Sequence, residues 1–216
     1  MKQYAFAGLA AMGAFGLSAS GQNIILNSGF EAGTGGDADN WAELGGPSGS
    51  TTRDGSMPDA GNFAALMQFD HINNPAAGAA YFIEQVQGVG SIDNAVNYDL
   101  SFRAKVASTD FTGMNAFVQI LWLDQDGSDG GGVRGEMLTS LISLGINDSY
   151  QTFSFNDMDA ADGADSFLLR FQIAAGAVAD VANGLYVDNV SLSQVPTPAS
   201  AALLGLGGLM ATRRRR

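Results

Sequence analysis

Among the residues able to do chemistry, acids dominate. The chain carries 22 Asp and Glu, and all but Glu31, Glu43, Glu84 and Glu136 are Asp. The short aspartate side chain suits turns and oxygen-liganded metal loops. The densest run, Asp124-Gln125-Asp126-Gly127-Ser128-Asp129-Gly130, invites a calcium-loop reading. Set against the EF-hand pattern it has acids at the first and third positions. It then has Ser128 at the fifth, Asp129 where glycine is required, and Gly135 in place of the closing glutamate. The pattern fails, and the run reads as a glycine-rich turn. Glycoside hydrolysis needs two carboxylates at a defined separation, one of them with a raised pKa, and no pair of acids stands in a motif of that kind. His71, the one histidine, sits in a polar Asp70-His71-Ile72-Asn73-Asn74 stretch and reads as a solvated loop residue. Gly130-Gly131-Gly132 lacks the lysine and the following helix of a phosphate loop. Cysteine is absent, which excludes thiol catalysis, disulfides and cysteine-ligated zinc. The chain reads as a non-enzyme.

Binding is the stronger reading. A sugar stacks its apolar face on an aromatic ring and takes hydrogen bonds from flanking polar groups. Trp122, mid-strand among aliphatic residues, is the foremost candidate ring, although the same neighbours suit a core position. Tyr81, Tyr150 and Tyr186 are candidates to line a groove, with Arg103, Gln85 or Gln119 as polar partners. Two tryptophans are too few for a long stacking platform.

These residues sit on strands. Tyr98 to Val106 alternates apolar and polar residues without a break, the period of a half-buried strand. Phe167 to Ile173 repeats the pattern less strictly. Phe117 to Leu123 is apolar at nearly every position and reads as a central strand covered on both faces. Further strands are expected at 62–69, 81–87, 138–144, 150–155 and 185–192, separated by Gly- and Asp-rich turns. No segment between the two ends keeps a helical period. Eight or so short strands in one domain predict an all-β fold, a two-sheet jelly-roll or Greek-key sandwich.

The two ends read as targeting segments. Lys2, the apolar run from Ala5 to Leu17 and the small residues Ala19-Ser20-Gly21 form a signal peptide over 1–21, cut by signal peptidase before Gln22. At the other end, over 195–216, Pro196-Thr197-Pro198 precedes an apolar run from Ala201 to Met210, and Arg213, Arg214, Arg215 and Arg216 follow. Arginine costs about 2.5–3.5 kcal/mol at a bilayer centre, so such a run enters a membrane with its arginines left in the cytoplasm. The tail resembles the PEP-CTERM sorting signal of exopolysaccharide-producing Gram-negative bacteria, with Thr197 in place of the usual Glu. That resemblance implies exosortase as a processing partner and a hydrophobic sorting helix. The segment between the ends holds every acid against Arg53, Arg103, Lys105, Arg134 and Arg170 alone. Such a field repels a phosphate backbone and excludes nucleic acid as a partner.

Residues 22–194 carry a second resemblance. Asn27-Ser28-Gly29-Phe30-Glu31 with Trp41, then Tyr81-Phe82-Ile83-Glu84-Gln85-Val86, then Tyr150-Gln151-Thr152-Phe153 and finally Leu185-Tyr186-Val187-Asp188-Asn189-Val190-Ser191-Leu192 follow in order. Together they resemble the family-four and family-nine carbohydrate-binding modules and their galactose-binding-like relatives. The resemblance implies a jelly roll with a structural Ca2+ joining the first strand to the last, held by Glu31 and Asp188, and a structural role for Trp41. Asp188 on its own points the same way, because a carboxylate within an apolar strand needs a cation or strong hydrogen-bond donors.

The expectation is an exported, surface-anchored, non-catalytic protein that binds extracellular polysaccharide. A matrix or adhesion protein without a sugar site is the alternative, and a glycoside hydrolase a weaker third.

Overall fold

A computed structural model describes residues 21–46, 48–72, 79–124, 132–176 and 182–195. The segment through Ser20, read above as a signal peptide, residues 125–131, and the tail from Pro196, read above as a sorting signal, lie outside the described residues. Residues Gly21 to Val195 form one compact unit.

Twelve strands are described: β1 (Gly33–Thr34), β2 (Asp37–Ala38), β3 (Ala42–Leu44), β4 (Gly49–Asp54), β5 (Ala64–Asp70), β6 (Ala79–Gln87), β7 (Asn97–Val106), β8 (Met114–Leu123), β9 (Val133–Ser140), β10 (Gln151–Asp159), β11 (Ser166–Ala175) and β12 (Ala182–Gln194). Apart from the small β1–β2 hairpin they form two five-stranded sheets. The orders are β10-β7-β12-β5-β4 in the first and β3-β6-β11-β8-β9 in the second. All pairings are antiparallel. The fold is an all-β sandwich, as the period-2 patterns require.

The alternation in β7 is the cleanest link from sequence to packing. Tyr98, Leu100, Phe102, Ala104 and Val106 are buried while the residues between them are part-exposed. Phe171 of β11 meets Phe102 edge-on with ring centroids 4.8 Å apart, which joins the two sheets through one core. A tilted aromatic contact of this kind adds about 0.5–1.5 kcal/mol to the burial itself.

Three expectations need correction. β8 is not covered on both faces: Ala116, Val118, Ile120 and Trp122 are buried, whereas Phe117, Gln119 and Leu121 are part-exposed. The strand expected at 138–144 lies earlier, over β9. Leu141 is fully buried and closes a turn, accepting from the amides of Leu144 and Ile146, with Gly145 at φ 79°. His71 is fully buried rather than solvated, because it continues the inward series Met67, Phe69, His71, its ring 4.9 Å from Phe69. The edge strand of the first sheet, β4, has no signal in the sequence pattern. Its sequence Gly-Ser-Thr-Thr-Arg-Asp has no apolar residue. It fits because its inward positions are satisfied without apolar groups. Thr51 Oγ1 donates to the Leu44 carbonyl at 2.8 Å. Arg53 donates Nε to the Phe30 carbonyl at 2.6 Å and Nη2 to the Glu31 carbonyl at 2.7 Å.

Candidate functional site

Two regions carry the candidate chemistry. The first surrounds the loop of residues 55–63, which joins β4 to β5. Asp188 lies on β12 opposite Arg103 of β7, just before a bulge, and is wholly buried. Its Oδ2 accepts from the amides of Asp59 and Ala60, each at 3.0 Å, and its Oδ1 from the amide of Asn189 at 2.7 Å. Burial pushes its pKa up, against the pull of those three donors. Arg103 clamps the same loop with two parallel bonds to Asp59, 2.8 Å each. That pair holds the Asp59 carboxyl below its ordinary range. Glu31 Oε1 accepts from the amides of Asn62 and Phe63 at 2.8 and 3.1 Å, and these bonds lower its pKa. The Tyr150 hydroxyl donates to the Met57 carbonyl at 2.8 Å. Glu31, Asp188, Arg103 and Tyr150 thus converge on one loop.

A Cβ on Gly29 would stand 3.7 Å from Asp188 Oδ1, 3.9 Å from Asn189 Oδ1 and 4.0 Å from Glu31 Cγ. Asp188 Oδ1 and Asn189 Oδ1 thus border Gly29 with oxygens of the kind that suit a hard cation such as Ca2+, whereas Glu31 presents its Cγ there and turns Oε1 to the 62–63 amides. Among the described residues no three acidic or histidine side chains gather to hold a metal. Any further ligands would have to be backbone carbonyls or the Asn189 amide oxygen.

The second region is the outer face of the β3-β6-β11-β8-β9 sheet. Register sets its side chains in rows across the strands. One row runs Leu44, Phe82, Gln172, Phe117, Ser140, and the next Ala42, Glu84, Arg170, Gln119, Leu138. Arg170 Nε donates to Glu84 Oε2 at 2.8 Å and Nη1 to Gln119 Oε1 at 3.2 Å. Gln119 Nε2 passes the chain on to Glu136 Oε1 at 2.7 Å. The guanidinium also lies 4.4 Å from the centre of the Phe82 ring. Phe82 and Phe117 flank Gln172 two strands apart, about 9.6 Å at the usual strand spacing. The result is a fixed polar network bordered by two part-exposed rings.

The ring candidates named from sequence fall elsewhere. Trp122 is core, packed on Tyr98 with ring centroids 5.5 Å apart. Tyr81 is fully buried and stacks on Phe69. Gln85 is also buried, its amide accepting from Leu26 N at 2.9 Å and donating to the Leu26 carbonyl at 2.8 Å and to the Asn40 carbonyl at 3.2 Å. These three cannot offer a surface to a ligand. Arg103 is committed to Asp59, and Tyr186 stands on the outer face of the other sheet with Lys105 Nζ 4.9 Å from its ring. Trp41 is structural, its indole N–H donating to the Asn27 carbonyl at 3.2 Å. The missed residues were readable by parity. Where Tyr81, Ile83 and Gln85 point inward, Phe82 and Glu84 must point out.

No protein-family profile matches the chain, and no curated protein sequence is similar to it. Solved structures do share its architecture. One is described as a carbohydrate-binding module of the β-sandwich superfamily, with TM-score 0.52 and 12% identity over 76% of this chain. The shared architecture is a two-sheet β-sandwich. Another is an arabinose-bound α-L-arabinofuranosidase, with TM-score 0.53, 14% identity and 83% of this chain covered. A third is a cyclase from Fischerella sp. TAU in complex with an indolyl butanone, with TM-score 0.51 and 16% identity over 82% of this chain and 98% of the cyclase. The chain spans 60% of the first structure's length and 27% of the second's. At these identities the likeness concerns fold alone, and the fold serves both binding proteins and enzymes.

Proposed function

We propose that this chain is a non-catalytic glycan-binding protein that docks polysaccharide on the outer face of the β3-β6-β11-β8-β9 sheet. The observation that carries the reading is the Glu84–Arg170–Gln119–Glu136 network, set in register beside Phe82 and Phe117. Rings supply apolar contact for the flat side of a sugar, and the fixed amides, guanidinium and carboxylates grip its hydroxyls. Arg170 already bonds to Glu84, and Glu136 accepts from Gln119. These carboxylates are therefore placed to hold hydroxyls rather than to deliver a proton. The shared fold of the carbohydrate-binding modules supports the same reading.

Within this proposal Ca2+ is structural. Glu31 and Asp188 would hold it, and its charge would compensate carboxylates that otherwise rely on amide donors. Export by the 1–21 segment and surface anchoring by the tail after exosortase processing place the face toward extracellular polysaccharide. A glycan array probed with purified protein, in calcium and in chelator, tests the reading. Retention on one polysaccharide class, weakened in Phe82→Ala and Arg170→Met, is the expected result. A folded, calcium-loaded protein that binds nothing on the array overturns it and leaves the matrix role.

A further inference from the structure

The opposite face of the sandwich carries an open groove of about 680 Å³ over β4, β5 and β12. Its volume lies within the ~300–1,000 Å³ typical of small-ligand sites. Ser50 and Gln68 face each other across β4 and β5, and Gln68 Nε2 donates to Ser50 Oγ at 3.1 Å. Among the described residues, neither the Gln68 side-chain carbonyl nor the Ser50 hydroxyl proton has a partner. The next pair along the sheet is Leu66 and Tyr186. Gly184 forms the floor between them: a Cβ there would meet Leu66 Cδ1 at 3.1 Å, so glycine is what keeps the groove level. Ser108 closes the far side.

The lining is therefore an amide and hydroxyls on one side and a tyrosine with a leucine on the other. Asp70 is the one charged residue among those lining it. Lys105 Nζ stands beside the groove, 4.9 Å from the centre of the Tyr186 ring, but the chain's net charge of −12 would repel an acidic ligand. Hydroxyls, an amide and an aromatic ring in so acidic a chain suit a neutral sugar.

We infer that this groove is a second glycan site, specific for neutral sugar units, and that it makes the protein bivalent. The two sites lie on opposite faces of one sandwich, so a single molecule joins two polysaccharide strands. The bridging, though not the groove itself, rests on the glycan-binding reading of the other face. Bivalence of this geometry converts weak single-site binding into cross-linking.

The test uses the full-length protein with soluble β-glucan, galactomannan and arabinoxylan, and with polygalacturonate as an acidic control. Turbidity reads cross-linking, and calorimetric titration with a hexasaccharide cut from the responding polymer counts sites. Wild type should cross-link a neutral polymer, ignore polygalacturonate and titrate with two sites. The Ser50→Ala/Gln68→Ala variant, altered at part-exposed positions, should lose cross-linking at least tenfold and titrate with one site while still binding the polymer. Arg170→Met should lose the other site. If the groove variant cross-links and titrates as wild type, the groove assignment falls and the Arg170 face stands alone. If Arg170→Met is unaffected while the groove variant loses all binding, the bridging and the Arg170 face fall and the groove remains. A folded wild type that binds none of the neutral polymers overturns both.

Discussion

Asp188→Asn should cost this protein about 2–4 kcal/mol of stability. The wild-type carboxylate accepts three backbone N–H groups at 2.7–3.0 Å with no exposure to solvent. An asparagine keeps one acceptor oxygen. Turned toward the loop, it retains the Asp59 and Ala60 amides but faces the Asn189 N–H with its own NH2. One buried donor left without a partner costs about 1–3 kcal/mol. The two retained bonds fall from charge-assisted to neutral, roughly halving each, a further ~1 kcal/mol apiece. Relief from burying a charge, the cause of the raised pKa, returns part of this. At about 2–4 °C per kcal/mol for a protein of ~150–250 residues, melting should fall by about 5–15 °C. Circular dichroism melts at pH 7 measure it, with urea titration to confirm an unchanged m-value. A drop below about 2 °C would refute Asp188 as the anchor of the 55–63 loop.

Three further outcomes are expected. Millimolar calcium should raise the melting temperature over chelator by several degrees, and Asp188→Ala, which removes a carboxylate ligand, should abolish the difference; coincident wild-type curves in both buffers would eliminate the ion site. Acid should loosen the loop: Glu31 and Asp59 have lowered pKa values, so their stabilisation is present above the ordinary carboxylate range and lost as pH falls through the lowered values. The raised Asp188 works oppositely, its contribution fading as pH rises through its own value. Arg103→Gln removes the bonds that lower the Asp59 value, so it should flatten the melting profile between pH 5 and pH 3, and an unchanged slope would sink the assignment. Trp122→Ala should cost about 3–5 kcal/mol as a core truncation yet leave the glycan affinity of the folded fraction unchanged, a separation that binding isotherms on folded protein would check.

The sequence pattern revealed most strands and only part of the chemistry. β7 was visible because every second residue is apolar, and the Tyr81–Gln87 and Leu185–Leu192 patterns marked β6 and β12. β4 stayed invisible because its inward threonine and arginine satisfy themselves through hydrogen bonds to Leu44, Phe30 and Glu31, a cause that leaves no apolar signature. Ring candidates failed for a related reason. Residue type favoured Trp122 and Tyr81, but in a strand it is position parity that decides exposure, and Phe82 and Phe117 held the outward places. Arg170 entered the sequence reading only as one of five cations set against the acids. Its link to Glu84 and Gln119 was not legible, because register between strands far apart in sequence is written in no single segment.

The order of the first sheet has a consequence for how the chain acquires its shape. β12, the last strand described, is the middle strand of that sheet, pairing with β7 on one side and β5 on the other. Until residues 182–194 leave the ribosome, β7 and β5 each lack a neighbour and their edges stay open. Their closure joins partners nearly a hundred residues apart, such as Leu192 with Leu100, a high-contact-order step that is intrinsically slow. Completion of this sheet therefore waits for residues 182–194, whereas every strand of the second sheet has emerged by residue 175, so the two layers of one sandwich mature at different moments of synthesis.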